Sequence, residues 1–312
     1  MGTSTEMLDV IVNFKAEAKE FHGTTVTHSN LRCFLDTVTP IVKAHSMVPF
    51  LPLQNGYVEK IADGVKCFYL GELWNRFYEW SACGVGTSVR LPSGETIVQY
   101  FVPYLSAIQL YTNRADFFPS QRRFDEDNQH NVMDCLSKYG CETPLHKSKI
   151  GDERPISICK GELFFKYFEL DSPYERMPFA DKVYELCYKF PALASLSSVE
   201  LSPSSWMSVF WYPISHTPAK NPKDLNTCFL TYHSLSTSKE YVALNDGHAF
   251  DHVALAPFGL VTLKLDEKVW ASPDTSDQEH IASLFSSAQS WIKKHQIYHH
   301  DFNYFSCSNT FA

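Results

Sequence analysis

Three places in the chain gather residues that could do chemistry. "DGHAFDH" at 246–252 sets His248 and His252 four apart, with Asp246 and Asp251 beside them. Two imidazoles and a carboxylate are a ligand set for zinc or iron. The stretch reads as a loop, however, so helical spacing is not assured, and solvated histidines are the plainer account. "HQIYHHD" at 295–301 puts His295, His299, His300 and Asp301 at a helix C-terminus. Histidine there interacts favourably with the helix dipole, which accounts for the cluster without a metal. The third place is "ELSPSSWMSVFWYPISHTPAKNPKDLNTCFLTYHSL", residues 200–235, which holds His216, Cys228 and His233.

His216 and His233 are the catalytic candidates, each needing a nearby Cys, Ser or carboxylate. A thiol with an adjacent imidazole makes an activated nucleophile, and Cys228 or Cys187 would be its thiol, but no spacing signature supports the pair. A histidine inside an apolar strand is more often a hydrogen-bonded core residue. The same logic applies to the aromatic residues Tyr100, Tyr104, Trp206, Trp211, Tyr212 and Tyr232, which read as core first and as a pocket second. The loop 215–226 and the aromatic strand ends beside it form the best candidate binding surface: Tyr104, Trp206, Trp211, Tyr212, His216, Tyr232 and His233. No GxSxG elbow, P-loop or HExxH motif occurs. "GVGTSV" follows a helix and precedes a strand, the reverse of the order that cradles phosphate, so it reads as a cap and turn. No cofactor is expected.

Positioning such residues falls to a chain of 312 residues that is 44% hydrophobic and 14% aromatic, long enough to bury a sizeable core without disulfides or metal. A net charge of −8 argues against nucleic-acid or anionic-membrane partners, which need a basic field. The nine cysteines are odd in number and lack CxxC spacing, which disfavours zinc ribbons and redox pairs. The start "MGTSTEMLDV" shows no secretory signal, and no apolar run approaches a membrane span. These features lead to the expectation of a soluble intracellular protein, cytoplasmic or nuclear.

Periodicity predicts the elements. "EMLDVIVNFKAEAKEF" within the variable segment 1–28 has helical spacing. "SNLRCFLDTVTP" is a short helix capped by Ser29 or Asn30, and 41–66 shows no period. "YLGELWNRFYEWSACG" carries Leu70, Leu73, Trp74, Phe77 and Tyr78 on one helical face, with Gly84 as its stop. A hairpin follows around "PSG", with a break or an edge at Pro103. Residues 113–157 are polar and aperiodic, a long insert. "GELFFKYFEL" is a strand, and 179–190 a helix closed by Pro191. The strands "SSWMSVFWYPI" and "CFLTYHSL" are apolar on both faces, so each is covered on both sides. "EYVALNDGHAFDHVALAP" reads as loop and "FGLVTLKL" as strand. The helix from Ser276 opens with a capping box to Glu279, and "DFNYFSCS" suits a last edge strand. The fold class is α+β: a single domain over 29–306 with a largely antiparallel sheet flanked by helices, and 307–312 as a tail.

The pieces "SNLRCFLDTVTP", "YLGELWNRFYEWSACGVG", "ETIVQYFVPYLSAIQLY", "LSPSSWMSVFWYPI", "DLNTCFLTYHSLST", "FGLVTLKL" and "HHDFNYF" together resemble a plant family known as the domain of unknown function DUF789. The resemblance spans about residues 29–306. It implies a plant source and one domain, and brings no catalytic residue with it. His300 stands where the family pattern has proline, which weighs against a metal site built there. The function expected is non-enzymatic binding of a protein or small-molecule ligand. The alternative is a cryptic hydrolase or transferase built on a histidine.

Overall fold

A computed structural model describes residues 28–47, 65–112, 161–172, 175–214, 226–237, 252–271 and 276–308. The predicted N-terminal helix, the 113–157 insert, His216 and His248 lie outside the described residues.

Helix α1 (Asn30–Thr37) is capped by Ser29, whose hydroxyl accepts from the Arg32 N–H. Three short strands follow where no element was expected: β1 (Ile41–Lys43), β2 (His45–Met47) and β3 (Val65–Cys67). They pair in two-stranded ladders, β2 with β3 and β1 with a later strand, and are too short to show a period. Helix α2 (Leu70–Cys83) buries Leu70, Leu73, Trp74 and Phe77 as expected, but Trp80 completes the face and Tyr78 turns to solvent. The helix stops at Gly84, whose φ of 71° suits a residue without a Cβ.

The main sheet is antiparallel and open. Its strands are β4 (Val85–Arg90), the 17-residue β5 (Thr96–Thr112), β6 (Glu162–Phe168), β7 (Trp206–Ile214), β8 (Cys228–Ser234) and β10 (Gly259–Leu263). The order is β10-β8-β7-β5-β4, and β6 also pairs with β5. The β4 ladder ends at Phe101 and the β6 ladder begins at Ala107. Pro103, which has no N–H to give a ladder, falls in the gap between them, so the expected edge is a notch on one flank of β5. Opposite the notch, the pairing of β5 with β7 shifts register between Leu105 and Ala107. Ser106 is the extra residue of this bulge.

Helices cover both faces. On the first lie α1, α2, α3 (Phe179–Lys189), α4 (Ala192–Ser195) and α5 (Glu267–Trp270), with Phe34 stacked 4.0 Å from Phe229 and Phe77 packed 6.1 Å from Trp211. On the second lie α6 (Asp277–His295) and α7 (His300–Ser308), with Phe305 edge-on to Phe210 at 5.5 Å. Burial of both faces is why β7 and β8 are apolar throughout. The chain is thus a three-layer α+β fold around a largely antiparallel sheet.

Three local expectations are corrected. "DFNYFSCS" forms α7 and not an edge strand: Phe302 and Phe305 are the buried apolar pair, three apart, which is helical spacing. Ser276 makes no side-chain cap; the adjoining Asp277 instead accepts from the Ser29 hydroxyl at 2.8 Å. His252–Ala254, placed in a loop, is strand β9, antiparallel to β1.

Candidate functional sites

The chemistry-bearing residues meet beneath the second face. His299, in the short link between α6 and α7, is fully buried, ringed edge-on by Phe168, Trp206 and Tyr232 at 5.7 to 6.0 Å. Its Nδ1 lies 2.7 Å from the Tyr232 hydroxyl, and its Nε2 lies 3.0 Å from Ser106 Oγ and 3.3 Å from Ser208 Oγ. Ser106 also donates to Asp301 Oδ2. Asp301 takes a two-point ion pair from Arg176, which in turn donates Nε–H to the Asp171 carbonyl and lies over the Phe210 ring.

Donors and acceptors assign the protons. Asp301 is held ionised by Arg176. Burial alone would raise its pKa, but the guanidinium beside it outweighs that and holds it below the usual carboxylate range. The Ser106 proton therefore goes to Asp301, leaving Ser106 to accept from His299 Nε2–H, while Nδ1 accepts from Tyr232 O–H. A nucleophilic serine needs the opposite polarity, with its proton handed to the imidazole. Burial also lowers the His299 pKa to about 4, with Asp301 opposing and Arg176 assisting, so the ring is neutral near pH 7. In this relay the Tyr232, His299 and Ser106 protons are each committed.

Ser106 is the unpaired residue of the β5 bulge. It breaks the alternation of β5, so Leu105 and Ile108 both reach the first face while Ser106 meets α7 on the second. Sequence reasoning placed His299 and Asp301 together but missed Ser106 and Arg176. A lone serine in an apolar strand carries no signal, and Arg176 is 125 positions from its partner.

His233, the described catalytic candidate, is on the first face and fully buried. Its Nδ1 donates to the Leu255 carbonyl at 2.8 Å, and its Nε2 accepts from Thr231 Oγ1 at 2.8 Å, which itself accepts from Trp211 Nε1. Burial lowers its pKa to about 4 despite the carbonyl contact. Cys228 sits on the opposite face of the same strand, so the two cannot meet, and burial pushes its thiol up to about 12. Burial likewise raises Cys187. His252 is exposed opposite Lys43. Among the described residues, no group of three His, Cys, Asp or Glu is placed to hold a metal ion.

The candidate binding residues divide between the faces. Trp206 and Tyr232 are sealed under α6 and α7, and Trp211 and His233 under the first-face helices. Tyr104 and Tyr212 differ, because both are half-exposed at the end of the second face. There α6 and α7 pack on β10, and among the described residues no helix lies over β4 or the first half of β5 on this face. The burial of β4 alternates strictly, with Gly86, Ser88 and Arg90 outward. Alternate β5 residues Val98, Tyr100, Val102 and Tyr104 continue this strip, and Tyr212 and Ile214 flank it on β7. A Cβ at Gly86 would press on Val98 and Tyr100, so the glycine lets those side chains lie along the sheet. An aromatic strip of this kind is suited to contact with apolar or aromatic groups.

The family model described as "Protein of unknown function (DUF789)" matches residues 29–305, most of the chain. The protein therefore belongs to the DUF789 family. No curated protein and no solved structure matches it. Among the described residues, no helix is long and apolar enough to cross a membrane.

Proposed function

We propose that this chain is a non-enzymatic binding domain, whose ligand is a protein segment laid across the strip formed by Tyr100, Val102, Tyr104 and Tyr212. The loop 215–226 begins where that strip ends, at Ile214. The observation that carries the reading is the contrast between the two sites. His233, His299 and Ser106 are buried and hydrogen-bonded to neighbouring side chains, whereas the half-exposed aromatic residues share a part of one sheet face over which no described helix lies. Uncovered aromatic area of this kind is characteristic of interaction surfaces. The negative charge disfavours nucleic acid and anionic membrane as partners. The six described cysteines are all free thiols, which supports a reducing, intracellular setting, and the resemblance supports a plant source.

The competing reading, a hydrolase or transferase, has the Ser106–His299 contact as its support, and the direction of the Ser106 proton weighs against it. Affinity capture with the wild-type chain, with Tyr100→Ser/Tyr104→Ser, and with a replaced 215–226 loop tests the proposal. Loss of a specific partner with an unchanged melting point supports it. Identical partners in all three overturn it, and covalent labelling of Ser106 by a serine-reactive phosphonate would favour the enzyme.

A further inference from the structure

The geometry points to a second surface, on the outer face of α3, that takes another copy of this chain in an antiparallel, two-fold arrangement. α3 buries Phe179, Val183 and Leu186 against the sheet and turns Tyr184 and Tyr188 to solvent, 76% and 81% exposed. These tyrosines are one turn apart, so they form a continuous aromatic ridge. Asp181 and Lys189, both exposed, stand four residues before and four after Glu185 on the same side of the helix.

That charge order selects the partner. Turning a second α3 end for end about Glu185 sets Asp181 of each copy against Lys189 of the other, with the tyrosines between them. A parallel copy would oppose like charges. Self-complementarity about a point is what a two-fold interface requires. Glu185 lies at the axis and can approach its counterpart because Lys182 and Lys189 of its own helix neutralise it, at 3.2 and 2.6 Å. These same contacts hold its carboxyl below the ordinary range.

A neighbouring helix widens the surface. α2 is joined to this region where Ser81 Oγ accepts from the Ala180 N–H and where Trp74 Nε1 donates to the Leu193 carbonyl. Tyr78 lies one turn along α2 from each of these points and is 66% exposed, so it can extend the same apolar surface. One helix face with this flank is smaller than the interface of a permanent dimer, so the association is weak and concentration-dependent. Because α3 covers the first face of the sheet, the dimer leaves the second-face strip open. The two surfaces stand or fall separately.

Sedimentation velocity of the full chain over an about hundredfold concentration range tests this. The expected result is a sedimentation coefficient that climbs with concentration, and an association weakened about tenfold or more in Tyr184→Ser/Tyr188→Ser. Lys189→Asp alone should weaken it too. Asp181→Lys/Lys189→Asp should restore it, because the swap keeps the two-fold complementarity and leaves a lysine one turn before Glu185. All four positions are on the surface, so an unchanged melting point serves as the folding control. The inference is overturned by a chain that stays monomeric throughout or by a dimer indifferent to the tyrosines. It is equally overturned by a double charge swap as weak as Lys189→Asp.

Discussion

Arg176 and Asp301 face each other as a two-point ion pair, Nη2 to Oδ1 at 2.6 Å and Nη1 to Oδ2 at 2.7 Å, with side chains only 1% and 3% exposed. The contact ties the segment before α3 to the first turn of α7. It is supported by Ser106, whose hydroxyl donates to Asp301 on one side, and by the Asp171 carbonyl, which takes Arg176 Nε–H on the other. Burial of charge without such partners is prohibitive.

Removing one member should therefore be far worse than removing both. Arg176→Met leaves a buried carboxylate with the Ser106 hydroxyl and, at 3.7 Å, His300 Nδ1 beside it, and should cost about 3–5 kcal/mol in urea unfolding. Arg176→Met/Asp301→Leu, which removes both charges and keeps the volume, should recover most of that loss. Equal losses in the single and double variants would mean the two side chains act independently.

Acid should weaken the fold in a defined window. His233 and His299 are both lowered to about 4 from an ordinary 6.5, chiefly by burial. As pH falls from 6.5 to 4, the unfolded chain takes up a proton at each site and the folded chain does not. Stability therefore drops through that interval, by about 3 kcal/mol per histidine, and is flat above it. Below about pH 4, Asp301, whose folded pKa is depressed, begins to withdraw its own contribution. Urea titrations between pH 7 and 4 should show this slope, and His299→Gln should remove about half of it. An unaltered slope in both His299→Gln and His233→Gln would show that neither ring is sealed.

How far such features could be read from the chain depended on whether one element held them. α2 was legible because Leu70, Leu73, Trp74 and Phe77 bury a single stripe, and β7 and β8 because both faces of each are apolar. Pro103 was legible through its missing N–H. The relay was half legible: His299 and Asp301 stand side by side in the sequence, and the helix end predicted there does lie near them. Its other half comes from a bulge and a distant arginine. A bulge leaves no mark in composition, and it silently reverses the alternation of the β5 residues beyond Ser106. The short strands β1 to β3 were lost because three residues cannot establish a period.

Close packing of α6 onto the sheet rests on one missing side chain. A Cβ at Gly259 would come within 2.9 Å of Ala288 Cβ and 3.1 Å of its Cα. The backbone atom cannot rotate away, so Gly259→Ala should force α6 off β10 and lower stability by about 1–3 kcal/mol. Ala288→Gly in the same background should relieve part of the clash at the second site. Calorimetry that finds Gly259→Ala as stable as the parent would show that α6 does not seat so closely on β10.

The last prediction concerns the segment between β5 and β6. Thr112 is the register partner of Glu162, so the chain leaves the sheet and re-enters it at neighbouring positions on adjacent strands. A connection whose two ends already meet can be shortened without pulling either strand. Loop-closure entropy also changes slowly, by about 0.6 kcal/mol per doubling of length. Exchanging residues 120–152 for a brief Gly/Ser linker should therefore shift the melting temperature by only a few degrees. Phe117, Phe118 and Phe124 are the exceptions to watch, since aromatic residues in a polar segment can dock on a core. The first two are kept in this replacement, so a second variant that also changes them to Ser separates their contribution. A collapse of the melting point in the first variant would mean that the removed residues belong to the core, and that the domain extends unbroken through the segment.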